Sequence, residues 1–201
     1  MKVRVTGRFR ARLGAQRGLG ARLAEYSLGI AARGVTLVEL MVTVAVLAII
    51  SLVAAPAFTD IFTSYRLSGF ATTFAASAQA ARSEAIRANR KVTLCRSSDG
   101  ATCATSGGWE AGWIVIQDAN GDGTRASGEQ LVETQPALPS GYLMRSNSAD
   151  RLSFDVTGFS SDSAVFTLCR ATPTVGTSQR RITISTTGRA TVDTTTGTTC
   201  P

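Results

Sequence analysis

The sequence predicts an α+β fold: one long helix on the amino-terminal side, followed by an antiparallel β-sheet domain packed against the second half of that helix. Three observations predict it. An apolar run passing into a three-or-four-residue apolar spacing fills residues 35–90, short β-prone runs separated by Thr, Ser and Gly fill 91–201, and a basic segment precedes both. Four parts follow: a basic leader over 1–34, a membrane-spanning half-helix over 35–62, an amphipathic half-helix over 63–90 and the sheet domain over 91–201.

The leader holds nearly all of the charge imbalance. The 201 residues carry a formal net charge of +7, and Lys2, Arg4, Arg8, Arg10, Arg12, Arg17, Arg22 and Arg33 against Glu25 account for all of it. From Val35 onward basic and acidic side chains cancel, so general affinity for nucleic acid does not follow from the average. There is no histidine. A Ser/His/Asp triad, a Cys/His dyad and a His-ligated zinc are all excluded in cis, and the cysteines lack the paired C-x-x-C spacing of zinc sites. The expectation is a protein that is not an enzyme.

From Leu40 to Ala55 only Thr43 and Ser51 are polar, and the run from Val35 contains one charge, Glu39. At about 1.5 Å per residue it is long enough to cross a hydrocarbon layer of about 30 Å. A secretory signal peptide would place a small-residue cleavage site after the run, but Ala54-Ala55-Pro56 leads straight into a helical pattern, so the stretch is expected to stay. Arginines crowd its amino-terminal side. The positive-inside rule then puts the leader in the cytoplasm and the carboxy-terminal domain beyond the inner membrane.

An ionised carboxylate in an apolar span is expensive, so Glu39 calls for a partner. The segment Arg33-Gly34-Val35-Thr36-Leu37-Val38-Glu39-Leu40 resembles the type IV prepilin processing site. The resemblance implies that a prepilin peptidase cuts between Gly34 and Val35, that Val35 becomes N-methylated, and that Glu39 pairs with the terminal amine of a neighbouring subunit. Pro56 stands where many pilins carry a helix-kinking proline, and its missing N–H and ring clash would bend the helix. A leader of 34 residues is long for this family.

After Ser64 the apolar positions are Leu67, Phe70, Phe74, Ala78, Ala81, Ala85 and Ala88, one stripe of an amphipathic helix. Gln79, Arg82, Ser83 and Arg87 lie off it, and Glu84 with Arg87 is expected to form a weak surface pair. Beyond Asn89, seven strands are predicted: Lys91 to Cys95, Gly112 to Gln117, Gln130 to Glu133, Arg151 to Asp155, Ala164 to Cys169, Arg181 to Ser185 and Ala190 to Val192. Ala80 to Arg87, Val92 to Cys95, Trp109-Glu110-Ala111-Gly112-Trp113-Ile114-Val115, Asp118 to Glu129, and Ile182 to Ser185 before Gly188-Arg189 resemble the GspH/FimT family of minor pilins and pseudopilins. The resemblance implies a pilin-like fold. It also implies a subunit that joins other pilins or pseudopilins in a type IV pilus or a type II secretion pseudopilus, at or near the tip.

An exported domain meets an oxidising compartment, where disulfides form. Of three possible pairings the expected one joins Cys95 to Cys103 and Cys169 to Cys200, the second tying a Thr-rich tail back to the domain. Asp118, Asn120, Asp122 and Glu129 fit the D-x-[DN]-x-[DN]-G-x5-E pattern of a calcium loop. Strands rather than helices flank it, Arg125 stands where such loops carry an aliphatic residue, and Asn-Gly with Asp-Gly explains the same letters as a hairpin connection. Calcium is the one cofactor the sequence raises. Trp109 and Trp113, four apart in a predicted strand, suit core packing against the helix better than a base-stacking platform.

Arg180, Arg181 and Arg189 form the one basic concentration of the domain. FimT-type proteins that take up DNA carry a carboxy-terminal Gly-Arg-x-Arg motif; Gly188-Arg189-Ala190-Thr191 keeps its first arginine only. The alternative function, a DNA-binding minor pilin for natural transformation, rests on these three side chains and implies weak, salt-sensitive binding.

Overall fold

The computed structural model describes residues 34–147, 150–172 and 178–200, with the side chains of 53–57 left aside. The chain divides into two compact units, Met1–Val44 and Ala45–Pro201. Leader residues 1–33 lie outside the described residues, and the bend expected at Pro56 lies outside the described side chains.

Helix α1 runs over Leu37–Ala88, inside the expected 35–90. Thr36 starts it: its hydroxyl accepts from the Glu39 backbone N–H at 3.2 Å and its carbonyl from Leu40 N at 3.1 Å, the geometry of an N-cap. Asn89, with φ of +50°, and the bond from Arg90 N to the Ala85 carbonyl close the other end. Among the described residues no helix is long and apolar enough to cross a membrane. The described apolar side chains from Leu37 to Leu52 fall short of a full span, and the run continues in sequence through 53–57.

Eight strands follow among the described residues: β1 Val92–Arg96, β2 Trp113–Gln117, β3 Leu131–Gln135, β4 Tyr142–Ser146, β5 Arg151–Phe154, β6 Ala164–Arg170, β7 Ser178–Ile184 and β8 Ala190–Thr196. They form two four-stranded antiparallel sheets, ordered β3-β2-β1-β5 and β4-β6-β7-β8. Seven of them answer to predicted runs, with β7 beginning three residues earlier and β8 running four longer. The eighth, β4, is unanticipated, because Leu143, Met144 and Arg145 lack the β-branched character that marks a strand. Its two buried side chains, Tyr142 and Met144, alternate onto the core face.

The buried stripe of α1 is Leu67, Ala71, Phe74, Ala78, Ala81 and Ala85, each at most 1% exposed. Ala71 takes the place expected for Phe70, which is half-buried against the edge of Tyr142. The stripe shares one core with Val92, Leu94, Trp113, Val115, Leu152 and Phe154 of the first sheet and with Met144, Phe166, Leu168, Ile182 and Ile184 of the second.

Phe74 sits at the centre. Its ring lies 5.3 Å from Trp109 and 5.2 Å from Trp113, both edge to face, and 4.5 Å from Phe166. Trp109 belongs to a 3-10 turn, Trp109–Ala111, rather than to a strand. It is buried all the same. Gly112, at φ of +111°, links that turn to β2; a Cβ there would stand 2.7 Å from the Gln135 carbonyl oxygen and 2.8 Å from that of Ser97.

Polar bonds complete the seam between helix and first sheet. The Trp113 Nε1–H donates to Ser77 Oγ at 3.0 Å, and Ser77 donates to Glu133 Oε1 at 2.6 Å. Glu84, expected at the surface, is 8% exposed: it accepts two bonds from Arg87, at 2.8 and 2.7 Å, and one from Gln117 at 2.7 Å. The structure pairs Cys95 with Cys103 and Cys169 with Cys200. The second bridge closes a loop of 31 residues, which loop entropy makes worth about 3–4 kcal/mol.

Replacing Phe74 by Ala removes the ring that touches both sheets and is expected to cost about 3–5 kcal/mol. Urea unfolding followed by tryptophan fluorescence measures it. Acid should also destabilise the fold. The Arg87 guanidinium holds the Glu84 carboxyl below its usual range, and hydroxyl bonds from Thr102, Thr124 and Thr157 do the same for Asp99, Asp122 and Asp155. A group lowered on folding stabilises while it is ionised, so the thermal midpoint should be level above about pH 5 and fall below about pH 4.

Candidate functional site

The residues singled out by the sequence occupy three separate places. The first is the start of α1. Gly34 and Val35 lie ahead of the helix and are exposed, Val35 by 69%. Glu39 falls in the first turn, where a carboxylate complements the positive end of the helix dipole. Thr36-Leu37-Val38-Glu39 has the T-x-x-E spacing of a capping box. That signal is present in the sequence and explains why the helix begins at once after Val35, a consequence missed when Glu39 is weighed only as a buried charge.

The side chains that follow are apolar and exposed. Leu37, Val38, Leu40, Met41, Val42, Val44, Leu47, Ile49, Ile50 and Leu52 are all more than half exposed, Leu52 by 79%. Phe58, Phe62 and Tyr65 continue the series. A helix apolar all round needs an apolar environment, because water around that much hydrocarbon is unfavourable. A membrane or the matching helices of other subunits supply one.

The second place is β7 and the turn after it. Alternation along the strand sends Arg180 and Arg181 to opposite faces. Arg180 is 5% exposed and points to α1, donating to the Ser64 carbonyl at 3.1 Å, to Ser64 Oγ at 2.8 Å and to Ser68 Oγ at 3.1 Å. It is a clamp between strand and helix and cannot reach a phosphate. This corrects the expected three-arginine patch. Arg181 is exposed opposite Asp193 of β8, and Arg189 is exposed in the turn between β7 and β8.

The third is the loop from Asp118 to Gln130, which joins the adjacent antiparallel strands β2 and β3. Asp118 is buried, its Oδ2 accepting from Thr93 Oγ1 at 2.8 Å and from Gly123 N at 2.9 Å. Asn120 donates to Asp122 at 2.7 Å, and Asp122 accepts from Thr124 N and Oγ1 at 2.7 Å each. Glu129 accepts from Ala119 N and Ala126 N at 2.8 Å each. Among the described residues no group of three or more acidic or thiol side chains stands gathered as a metal cage.

A helix opening directly behind a basic leader and carried by two antiparallel sheets defines a pilin-like structural subunit. The model of the prokaryotic N-terminal methylation motif matches residues 31–55. That motif implies processing by a prepilin peptidase and assembly with other pilins. The family described as type II transport protein GspH matches residues 71–188, more than half of the sequence. The chain belongs to this GspH family of minor pilins and pseudopilins, whose members are structural subunits and not enzymes.

No curated protein matches the chain. Among solved structures it is similar to the type IV minor pilin FimU of Pseudomonas aeruginosa PAO1, 22% identical over 63% of this chain and 92% of that one, with a TM-score of 0.47. It is also similar to the minor pseudopilin EpsH of the Vibrio cholerae type 2 secretion system, 14% identical over 63% of this chain and 95% of that one, with a TM-score of 0.45.

The two kinds of arginine should separate by stability. Arg180→Ala is expected to cost about 1.5–3 kcal/mol, the worth of bonds from a charged donor, while Arg189→Ala stays within about 0.5 kcal/mol of the parent. Paired thermal melts decide this.

Proposed function

We propose that the chain is a membrane-held precursor, cut between Gly34 and Val35, methylated on Val35, and then drawn into a fibre by its apolar helix. Before assembly the segment from Val35 to Phe62 lies in the inner membrane as a single pass, with the sheet domain on the periplasmic side. The observation that carries this reading is the run of exposed apolar side chains from Leu37 to Leu52, opened by Thr36 and Glu39 immediately behind the methylation motif.

In the fibre, neighbouring helices would take the place of lipid around those side chains. Cleavage exposes the Val35 amine as a cation, and Glu39 is the sole acid between Val35 and Thr59. A carboxylate in apolar surroundings needs a partner to offset its desolvation, and a neighbour's terminal amine is a cation delivered at the right end of the helix. Cleavage would thereby be coupled to assembly.

Two measurements test the reading. Amino-terminal sequencing of protein from cells should begin at N-methylvaline, followed by Thr-Leu-Val-Glu; a start elsewhere overturns the processing site. Glu39→Ala should still fractionate with the inner membrane yet be absent from sheared fibres. Its normal incorporation overturns the pairing.

A further inference from the structure

The geometry points to a calcium site in the β2–β3 loop, formed by Asp118, Asn120, Asp122, the Thr124 carbonyl and Glu129. Asp118 is the residue in this loop whose burial needs an explanation. It is 1% exposed, and among the described residues no lysine or arginine forms an ion pair with it. Oδ2 is held by the Thr93 hydroxyl and the Gly123 N–H. Oδ1 is buried with no hydrogen-bond partner. Native interiors rarely leave a carboxylate oxygen in that condition, and an ion at the site is one of the few physical explanations.

The orphaned oxygen stands at the first position of a twelve-residue loop whose other positions suit calcium. Oxygen ligands are due at positions one, three, five, seven and twelve, with a glycine at six for the sharp turn. These are Asp118, Asn120, Asp122, Thr124, Glu129 and Gly123. Gly123 has φ of +75°, and its N–H is the group that fixes Asp118 Oδ2 toward the loop. Asp118 is thus tied to the loop through Oδ2, which leaves Oδ1 as the oxygen it would offer an ion.

Glu129 is the ligand that must move. Its two oxygens are taken by the N–H groups of Ala119 and Ala126, and the side chains do not yet stand as a cage. Binding would exchange those backbone bonds for the ion, drawing the end of the loop toward Asp118. The flanking strands are no obstacle, because the ligands come from the loop itself. β2 and β3 hold its two ends side by side.

The surrounding cations set the strength. Lys91 donates to the Gly121 carbonyl, Arg151 to that of Asp122 and Arg125 to that of Glu129. None of these carbonyls is among the proposed ligands, but three positive charges beside three carboxylates leave the loop formally neutral. Affinity should accordingly lie in the weak range of extracellular modules, a Kd of about 0.1–1 mM. Filling of such a site rests on the export proposed above, which would bring the domain to calcium at millimolar concentration.

Titration calorimetry on chelator-treated full-length protein in detergent tests this, with calcium chloride as the probe and magnesium chloride as control. One calcium per chain is expected, with a thermal midpoint raised at about 10 mM calcium and magnesium bound at least about tenfold more weakly, because it sheds its waters reluctantly. Asp118→Asn and Glu129→Gln should each weaken calcium binding at least about tenfold. Glu129→Gln decides the matter if Asp118→Asn fails to fold, since Glu129 is only half-buried and the fold of the variant can be checked by circular dichroism. Absence of heat and of any midpoint shift overturns the site. So does a shift that magnesium reproduces or that survives in folded Glu129→Gln.

Discussion

The packing of one ring, Phe74, holds the helix and both sheets of this molecule together. It touches Trp113 of the first sheet, Phe166 of the second and Trp109 of the turn between β1 and β2. Two sheets that share no strand are joined through the same helical side chain. The positions on either side of it along the stripe are alanines, at 71, 78, 81 and 85. Small side chains let the strand residues approach the helix backbone, so the aromatic fills the one wide space and the alanines fix the narrow ones. Gly112 serves the same close packing, since the turn carrying Trp109 reaches β2 only through a backbone that tolerates positive φ.

One helix thus has two kinds of surface. From Leu67 to Ala85 its apolar stripe is consumed by the sheets, and the polar side chains around it have assigned work: Ser77 with Trp113 and Glu133, Glu84 with Gln117, Ser64 and Ser68 with Arg180. From Leu37 to Leu52 the apolar side chains have no such core and remain exposed. Hydrophobic burial left undone within a subunit is available between a subunit and its surroundings. That separation gives the sheet domain a core of its own and leaves the described apolar side chains from Leu37 to Leu52 outside it.

Charge is divided in a similar way. Residues 1–34 carry the excess, and the sequence from Val35 onward is neutral, so arginine roles there depend on position rather than on number. Arg180 and Arg181 are neighbours in sequence and opposite in function, one fastening β7 to the helix and the other facing solvent beside Asp193. A phosphate-binding surface built from both is ruled out by strand alternation. What the outer face offers is Arg181 and Arg189, with an acid next to the first.

The sequence by itself determined the start of the helix, most of the stripe that begins at Leu67 and seven of the eight strands, because each is a short-range property of spacing or residue type; the cysteine partners, one of three pairings open to the sequence, were settled by the fold. The prepilin segment was legible for the same reason, as a run of consecutive letters. Only the tertiary structure decided that the strands form two sheets, that Tyr142–Ser146 is the eighth, that Trp109 sits in a turn, that Glu84 and Arg180 are buried, and that Asp118 is left with an unpaired oxygen. Those outcomes depend on which distant residues meet. Strand order and the burial of a charge are set by contacts across dozens of residues, where local preference is weak and the shape of the shared core has the last word.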